Sequence, residues 1–472
     1  MCEEKSKAEI LKEQLFMKRE HTAGIIGEKG VAEADTFAEG YMNYLDASKT
    51  EREAVEQALE MAKAGGFTEF DKTVRYPAGS KVYVNNRDKS LILAVIGHKD
   101  IREGVSIAAA HVDAPRLDLK PNPLYEESEM AYFKTHYYGG IKKYQWTAIP
   151  LSLHGVVIKK DGEKVKINIG DAPEEPKFVI TDLLPHLAAN QMRSTMAEGI
   201  KGETLNILIG SRPFDNTPAA DSIKLNIMNI LHEKYGIIEE DFLSAELEAV
   251  PAFSACDIGF DRSLIGAYGH DDRVCAYPAL MAILDSEEPD YTCITVLTDK
   301  EETGSEGNTG LDSKYLEYFV CDLAAIYGAE GRDVLSKSKC LSADVNAAFD
   351  PNFPEVYERR NSCFINNGVC ITKYTGSRGK GGSSDASAEL VGFVRNLFNK
   401  NDIAWQTGEL GKVDAGGGGT VAQYIANLNV ETIDCGVPVL SMHSPFEVTG
   451  KLDVYMTYEG YRAFLLSDEK IN

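Results

Sequence analysis

Apolar residues follow two different spacings along this chain. In Lys7–Lys18 and Thr50–Lys63 they recur every three or four positions among charged residues, which predicts helices. The pair Gly65-Gly66 ends the second of them, as glycines do at helix termini. Ser90–Gly97 and Gly104–Ala110 are continuous apolar runs instead, which is typical of strands buried on both faces of a sheet.

The middle of the chain has a different composition. Between Leu117 and Val250 tyrosine, glycine and proline are frequent. Two strand-like segments, Leu153–Ile158 and Lys164–Ile169, flank a turn at Asp161-Gly162, which predicts a β-hairpin. We therefore expect an inserted β-rich domain at residues 116–252 that divides the main domain into residues 1–115 and 253–472.

From Phe253 onward, short apolar runs alternate again with helical patterns. Such alternation predicts an α/β fold with a mostly parallel central sheet that is sandwiched by helices. The predicted strands are Thr292–Leu297, Ala324–Tyr327, Lys339–Ala343, Val369–Lys373 and Val437–Ser441. The predicted helices are Asp272–Ser286, Ser384–Asn399 and Thr420–Ala426.

Composition and charge exclude several classes of protein. The 49 basic and 73 acidic residues give a net charge of −24, which disfavours nucleic acid and anionic lipid as partners. No apolar run approaches the length of about 20 residues that spans a bilayer, and the charged N-terminal segment does not resemble a signal peptide. The nine cysteines include no C-x-x-C pair. We therefore expect a cytoplasmic protein with reduced thiols.

Four of the apolar runs lead into residues that commonly bind metals. His111 follows SIAAA, Glu301-Glu302 come shortly after TCITVL, Asp344 follows KCLSA and His443 follows VPVLSM. Sites in open α/β sheets form outside the carboxyl ends of the strands, so we expect these side chains to converge. Imidazole and carboxylate groups suit zinc, manganese or cobalt.

Three further acidic positions complete this pattern. Asp271, at the start of a predicted helix, either caps that helix or bridges metals. The presence of the other metal-binding residue types favours the second role. Asp113 lies on the same strand face as His111 and is placed to hold the second ring nitrogen. Because the side chains of Glu301 and Glu302 diverge, one can bind a metal while the other acts as a base.

Two histidine segments are weaker candidates. His98-Lys99-Asp100 repeats the H-x-D spacing, but Lys99 and Arg102 give it the character of a solvated turn. His270, beside Asp271, is a secondary ligand candidate.

In order, these residues resemble the ligand series of the dinuclear metallo-aminopeptidases, most closely that of the aspartyl aminopeptidase and aminopeptidase I family. The resemblance extends over nearly the whole chain, in AAAHVDAPRLDLKP, HYYGGIKKYQW, LLPHLA, TDKEETGSEG, SADVNAAFDPNFPE and SMHSPFEV. It implies an aminopeptidase acting on peptides, with a zinc-exopeptidase-like fold and an inserted dimerisation domain. It also implies two divalent ions per subunit, zinc with cobalt or manganese as substitutes, and a tetrahedral homododecamer built from dimers.

The resemblance assigns a role to each residue. One ion would be held by His111 and Glu302 and the other by Asp344 and His443, with Asp271 as the bridge, Asp113 as the support of His111 and Glu301 as the general base.

The substrate preference stays open. Relatives that favour acidic N-terminal residues bind the carboxylate through basic side chains, and Lys373, Arg378 and Lys380 match such positions, although a solvated basic loop explains them equally well. Asn190 stands where some relatives have a histidine that reaches a neighbouring subunit. Neutral or broad specificity is therefore the alternative to an acidic preference.

Two other functions share part of this pattern. A dinuclear amidohydrolase or carboxypeptidase acting on N-acylated amino acids has the same ligand order, but its inserted domain lies between the later acidic ligand and the last histidine. Here the long interval separates Asp113 from Asp271. A non-catalytic, shell-forming homologue would have a broken ligand set, whereas this set is complete.

Overall fold

The computed structural model describes residues 6–17 and 20–471. In that part of the chain the helices are α1 (Lys7–Leu15), α2 (Thr22–Ala47), α3 (Glu51–Ala64), α4 (Met196–Gly199), α5 (Ser222–Tyr235), α6 (His270–Leu284), α7 (Tyr315–Ile326), α8 (Gly331–Leu335), α9 (Ala388–Lys400), α10 (Ala422–Ala426) and α11 (Lys451–Leu465). The strands are β1 (Thr68–Glu69), β2 (Lys81–Asn86), β3 (Ser90–Val95), β4 (Val105–His111), β5 (Arg116–Glu127), β6 (Met130–Tyr138), β7 (Leu151–Ile158), β8 (Lys164–Ile169), β9 (Ile207–Gly210), β10 (Ala245–Pro251), β11 (Cys256–Ile258), β12 (Leu264–Ala267), β13 (Thr292–Thr298), β14 (Lys339–Ser342), β15 (Asn346–Ala347), β16 (Val369–Thr372), β17 (Trp405–Thr407), β18 (Glu431–Gly436), β19 (Pro438–Leu440) and β20 (Glu447–Gly450).

The largest sheet has nine strands in the order β1-β2-β3-β13-β4-β14-β18-β16-β17. Its middle strands, β13-β4-β14-β18, are parallel, and β3 and β16 join them in the antiparallel sense. Every residue of β3, β4, β13 and β14 is buried. Successive side chains of a strand point to opposite faces, so Ile107 and Ala109 pack in one core whereas Ala108 and Ala110 pack in another. This two-sided burial explains the continuous apolar runs.

Helices cover both faces of this sheet. On one face α11 packs against α2, α6 and α9, and Tyr41, Val274 and Phe398 contribute to the core beneath them. On the other face α7 packs against α8, and Phe319 and Val334 contribute to the second core. The molecule is therefore a mixed α/β protein, as predicted.

A second sheet is made of six strands that all lie between Arg116 and Pro251, in the order β8-β7-β10-β5-β6-β9. All of its strand pairs are antiparallel. It has a core of its own, in which Leu117, Trp146, Leu151 and Val250 are fully buried. We call residues 116–252 the inserted segment.

Buried charges join the inserted segment to the rest of the chain. Arg116, at the start of β5, lies 3.2 Å from Glu248 of β10 and 3.5 Å from Glu51 of α3. Burial raises the pKa of Glu51, but the charges of Arg116 and Lys89 outweigh it and lower this pKa to about 2. Glu51 is therefore ionised and holds the Arg116 guanidinium in place.

A third, five-stranded sheet has the order β11-β12-β20-β19-β15. Strand β12 leads into α6 and thereby into Asp271, while the loop between β19 and β20 contains His443. This sheet therefore delivers two of the predicted ligands to the edge of the central sheet.

Most predicted elements are present. The continuous apolar runs correspond to β3, β4, β13, β14 and β16, and the predicted hairpin is formed by β7 and β8. The strand predicted at Ala324–Tyr327 is wrong, because this segment is the end of helix α7 and the turn after it. Lys18, the end of the first predicted helix, lies outside the described residues. None of the described helices is both long and apolar enough to cross a membrane.

Candidate metal centre

Three neighbouring strands of the central sheet bring ligands to one edge. His111 is the last residue of β4, Glu301 and Glu302 lie in a short turn after β13, and Asp344 follows β14. The strand order β13-β4-β14 places these ends side by side, with His111 paired in register with Thr298. The sequence-based expectation of convergence at the carboxyl ends of the strands is realised in this arrangement.

The first turn of α6 and the β19–β20 loop complete the group. Glu447 of β20 joins them, because its carboxylate accepts hydrogen bonds from the backbone N–H groups of Asp271, at 3.1 Å, and His443, at 2.7 Å. Glu447 was missed by sequence reasoning, although it follows His443 by only four positions. Burial and the charge of Asp271 raise the pKa of Glu447 to about 8.

The ligand atoms form two groups in which all atoms lie within 4.8 Å of one another. One group consists of His111, Asp272 and Asp344, and the other of Asp271, Glu302 and His443. The Asp271 carboxylate lies between them, with Oδ1 3.1 Å from His111 Nε2 and Oδ2 3.1 Å from His443 Nε2. Asp271 is thus placed to bridge two cations.

The distances correct the predicted pairing of ligands. Asp344 Oδ1 lies 3.9 Å from His111 Nε2, and Glu302 Oε2 lies 3.5 Å from His443 Nε2. His111 is therefore grouped with Asp344, and His443 with Glu302. The pairing of His111 with Glu302 and of Asp344 with His443 is wrong, because the Glu301–Glu302 turn directs Glu302 toward the β19–β20 loop.

The chemistry of these donors fits divalent cations. The carboxylates of Asp271, Glu302 and Asp344 lie close together, and the side chains of Asp271 and Glu302 are only 5% and 3% exposed. Burial and neighbouring carboxylates raise the pKa of both Glu302 and Asp344 well above the usual range. Glu302 Oε1 is buried without a hydrogen-bond donor. Buried carboxylates of this kind are stable when they are paired or coordinate metals, so cations would complete the site.

The two histidines lie in the same negative field. Burial opposes the charged form of His443, but Asp271 and Glu302 outweigh it and raise the pKa of His443 to about 10. The pKa of His111 is also raised, since Asp113 and Asp271 outweigh the effect of burial. An environment that favours a proton on these nitrogens also favours a metal cation in its place.

Asp113 holds the first ligands in position. Its Oδ1 lies 3.3 Å from His111 Nδ1 and accepts the N–H of Glu301 at 3.1 Å, and its Oδ2 accepts the N–H of Glu302 at 3.2 Å. Burial raises the pKa of Asp113, but the interaction with His111 outweighs it, so that the pKa is lowered. An ionised Asp113 therefore orients His111 and the turn that carries both glutamates.

Asp272 and His270, the neighbours of Asp271, have contrasting contacts. Asp272 is fully buried and its Oδ2 accepts the backbone N–H of His111 at 3.3 Å. In the sequence, only the position of Asp272 beside Asp271 pointed to a place in the site. His270 bonds through both ring nitrogens, to the hydroxyl of Tyr41 at 2.7 Å and to the carbonyl of Ile265 at 3.1 Å. His270 therefore has no free nitrogen for a metal.

Glu301 differs from Glu302 in its surroundings. It belongs to neither ligand group, and its Oε2 lies 3.9 Å from His111 Nε2. Burial and neighbouring carboxylates raise the pKa of Glu301 to about 7. A carboxylate beside the centre that belongs to neither ligand group is free to accept and return a proton.

A cavity of about 390 Å³ opens onto both ligand groups. Besides the ligands and Glu301, its walls are neutral or apolar except for Asp434, and they comprise Gly140, Val345, Asn346, Thr372, Thr375, Leu410, Gly417, Gly418, Gly419, Thr420 and Met442. No lysine or arginine of the described residues lines it.

The three predicted substrate-binding residues lie outside this cavity. Lys373 and Lys380 both form ion pairs with Asp385, and Arg378 and Lys380 line a smaller cavity that adjoins this one through Thr375, Leu410 and Gly417. Asp385 offsets only one of the three positive charges of this loop, so a net positive charge remains there, and a contact of these residues with the substrate stays a prediction.

Known proteins resemble this chain in both sequence and structure. The family model described as aminopeptidase I zinc metalloprotease (M18) matches residues 44–465. A probable M18 family aminopeptidase 1 of Clostridium acetobutylicum is 47% identical over 446 residues, 93% of this chain and 96% of that protein. The crystal structure of an M18 family aminopeptidase from Thermotoga maritima has a TM-score of 0.91 at 42% identity, over 95% of this chain and 99% of that one. The structure of aminopeptidase I from Clostridium acetobutylicum has a TM-score of 0.90 at 44% identity, over 96% and 100% of the two chains.

Proposed function

The chain belongs to the aminopeptidase I zinc metalloprotease family, M18, and from that premise we propose how it removes N-terminal residues from peptides. One zinc ion would be held by His111 and Asp344, the other by Glu302 and His443, with Asp271 shared between them. The position of the Asp271 carboxylate, 3.1 Å from a nitrogen of each histidine, is the observation that carries this assignment.

Glu301 is the proposed general base. When bound, a pair of zinc ions supplies positive charge that lowers the pKa of a water molecule and polarises the scissile carbonyl. Glu301 accepts the proton of the attacking water on its carboxylate and then donates it to the amine that leaves. Glu301 belongs to neither ligand group and its Oε2 lies 3.9 Å from His111 Nε2, so its carboxylate is free for both steps and close to the centre.

The charge of the cavity favours a free N-terminus. A substrate with a free α-amine brings a positive charge to a wall of carboxylates. A substrate of a carboxypeptidase or of an N-acyl amino acid hydrolase brings a carboxylate, for which such a cavity would need a basic side chain in addition to the zinc ions. No lysine or arginine of the described residues lines this cavity, which supports the aminopeptidase over this alternative. The complete set of ligands and base argues against a non-catalytic homologue.

We propose that the preferred N-terminal residue is neutral. Val345, Leu410 and Met442 give the cavity an apolar wall, on which an aliphatic side chain would bury surface. The acidic preference would instead require Lys373, Arg378 or Lys380 at this wall, and the two lysines are engaged by Asp385.

A panel of peptides that differ only in the N-terminal residue tests this proposal. With zinc bound, we expect Leu and Met substrates to exceed Asp and Glu substrates in kcat/KM by at least about tenfold, on the order of 1.4 kcal/mol. N-acetylated versions of the same peptides are the control and should not be hydrolysed. A preference for Asp and Glu would contradict the neutral preference, and hydrolysis of the acetylated peptides would contradict the aminopeptidase itself.

The metal is proposed to be zinc, two ions per subunit, with cobalt or manganese able to substitute. Imidazole and carboxylate ligands suit all three metals. Metal analysis of the purified protein after removal of loose ions should give two equivalents, and a single equivalent would contradict the dinuclear centre.

We also propose that residues 116–252 are a dimerisation domain and that twelve subunits assemble into a tetrahedral particle. The inserted segment exposes Leu183, Leu184, Leu187, Met192 and Met196, each at least half exposed, and exposed apolar groups of this kind mark interaction surfaces. A solved dodecamer, mApe1 of S. cerevisiae, shares the fold at 22% identity and a TM-score of 0.74. Analytical ultracentrifugation at native ionic strength should give the mass of twelve chains, and a stable monomer would contradict the assembly.

A further inference from the structure

The turn that ends strand β6 of the inserted segment lies directly over the proposed metal centre. It consists of Tyr138, Gly139 and Gly140, and we call it the 138–140 turn. None of its residues belongs to the ligand groups. It nevertheless contacts three of the residues that hold or orient the ligands.

The two glycines allow the backbone to approach the ligands closely. A Cβ atom on Gly139 would lie 3.2 Å from Glu302 Oε2, and one on Gly140 would lie 3.3 Å from His443 Nδ1. Gly139 also has a φ of +73°, which side-chain-bearing residues rarely adopt. Both glycines therefore pack against the same ligand group, that of Asp271, Glu302 and His443.

The carbonyl of Gly140 fixes the tautomer of His443. It lies 2.8 Å from His443 Nδ1, so the ring donates its Nδ1–H to this oxygen. The other nitrogen, Nε2, then faces Asp271 Oδ2 at 3.1 Å with its lone pair available to a cation. A hydrogen bond of this kind sets which nitrogen of a histidine binds the metal.

Tyr138 acts on the same centre through Asp113. Its hydroxyl donates to Asp113 Oδ2 at 2.8 Å, the oxygen that also accepts the N–H of Glu302. The Arg116 guanidinium lies 3.8 Å from the centre of the Tyr138 ring and fixes the ring in this position. Burial and the charge of Asp113 raise the pKa of Tyr138, so its hydroxyl stays protonated and remains a donor.

We propose that the 138–140 turn is a positioning element whose two glycines serve the cation held by Asp271, Glu302 and His443, so that the inserted segment controls the occupancy of that metal position. Tyr138 acts on both positions, because Asp113 also orients His111 of the other group. This inference rests on the proposed dinuclear function. It gives Tyr138 and Gly140 a role in metal binding that is separate from any role of the inserted segment in assembly.

Gly140→Ala is the most direct test. The added methyl group would lie 3.3 Å from His443 Nδ1, so the ring must move by a few tenths of an ångström and its hydrogen bond to the Gly140 carbonyl is distorted. Disturbance of such a supporting contact weakens metal binding by about 10- to 100-fold. Chelator competition on the whole protein should therefore show one zinc ion that binds as in the wild type and one that is weakened by this factor. Gly392→Ala is the matched control, because a methyl group there meets open space.

Tyr138→Phe provides a second variant that keeps the ring on Arg116 and removes only the hydroxyl. We expect zinc binding to weaken by about tenfold and kcat to fall while KM changes less than about twofold, since Tyr138 does not line the cavity. The absorption spectrum of the cobalt-substituted protein should also change, because the ligand geometry shifts. Tyr137→Phe, at an exposed neighbouring ring, is the control and should leave all three readouts unchanged.

The outcomes separate this inference from the proposed function. Wild-type protein that binds no zinc, or one equivalent only, overturns the dinuclear function itself. Wild-type protein with two zinc ions, together with Gly140→Ala and Tyr138→Phe variants of unchanged zinc affinity and cobalt spectrum, overturns only the role of the 138–140 turn. Equal weakening of both ions in Gly140→Ala overturns the claim that the two glycines act on one position.

Discussion

Replacement of Glu301 by glutamine separates proton transfer from metal binding. The change preserves the size of the side chain and the N–H that Asp113 accepts at 3.1 Å, and Glu301 belongs to neither ligand group. The fold and both metal positions should therefore be unaffected. Only the ability to accept and return a proton is removed.

The expected magnitude follows from the role of a general base. Such catalysis contributes about 10²- to 10⁴-fold, which corresponds to about 3–5 kcal/mol at about 1.4 kcal/mol per tenfold change. We expect kcat of Glu301→Gln to fall by this factor while KM stays within about threefold, because the neutral amide keeps the shape of the cavity.

The assay is steady-state hydrolysis of a peptide with zinc at saturation, together with metal analysis of the same sample. Glu306→Gln is a matched control, since Glu306 is exposed five positions further on and does not line the cavity. Turnover of Glu301→Gln within tenfold of the wild type would refute Glu301 as the base. Loss of zinc in this variant would refute the separation of base from ligands.

Three further predictions test the ligand bridge, the junction of the inserted segment and the core. Asp271→Ala should lose both zinc ions, because one oxygen faces each histidine, and full occupancy by metal analysis would contradict the bridge. Burial opposes the charged form of His154, but Asp171 and Glu53 outweigh it and raise its pKa above 6.5. The wild type should therefore exceed His154→Gln in Tm by the largest amount below pH 6.5, and this difference should disappear as the pH rises through the raised pKa. A difference in Tm that does not change with pH would contradict this linkage. Phe398→Ala should lower the free energy of unfolding by about 3–5 kcal/mol, because this ring is fully buried, and a loss below about 1 kcal/mol in denaturant titration would contradict its packing.

Sequence patterns were most informative for strands whose burial in the fold requires apolar residues along their whole length. β3, β4, β13 and β14 are buried on both faces, so their apolar runs are unbroken and their ends are marked by the first polar residues. Ala324–Tyr327 shows the limit of this reasoning. A run of four residues has no period of its own, and here it is the last turn of the helix whose buried face includes Leu316, Phe319 and Leu323.

Strand β18 was missed for the opposite reason. Its residues Glu431, Thr432 and Asp434 are polar, although Asp434 is buried and accepts a hydrogen bond from Ser342 at 2.7 Å. The pattern favoured Val437–Ser441 instead, and this segment forms β19 of the third sheet.

The candidate site likewise has features that the sequence pattern could predict and features that it could not. The positions of His111, Glu302 and Asp344 follow from the ends of strands, which a linear pattern can mark. Which ligands share an ion depends on the direction of each side chain, and the spacing of residues along the chain contains no such information. The contacts of the 138–140 turn come from a distant segment, which the sequence marked only as part of HYYGGIKKYQW.

The ion pairs of Lys373 and Lys380 with Asp385 could have been predicted from the sequence. Asp385 lies on the same loop, and its pKa is lowered by these two lysines. Asp385 thus removes one of the three positive charges that the loop would present to a substrate.

Anomalous diffraction at the zinc absorption edge, from crystals of the protein grown with zinc, would show whether Asp271 is shared by two ions. We predict two peaks about 3.5–4 Å apart, one beside His111 and Asp344 and the other beside Glu302 and His443, with the Asp271 carboxylate between them. A single peak, or peaks that do not share Asp271, would contradict this prediction.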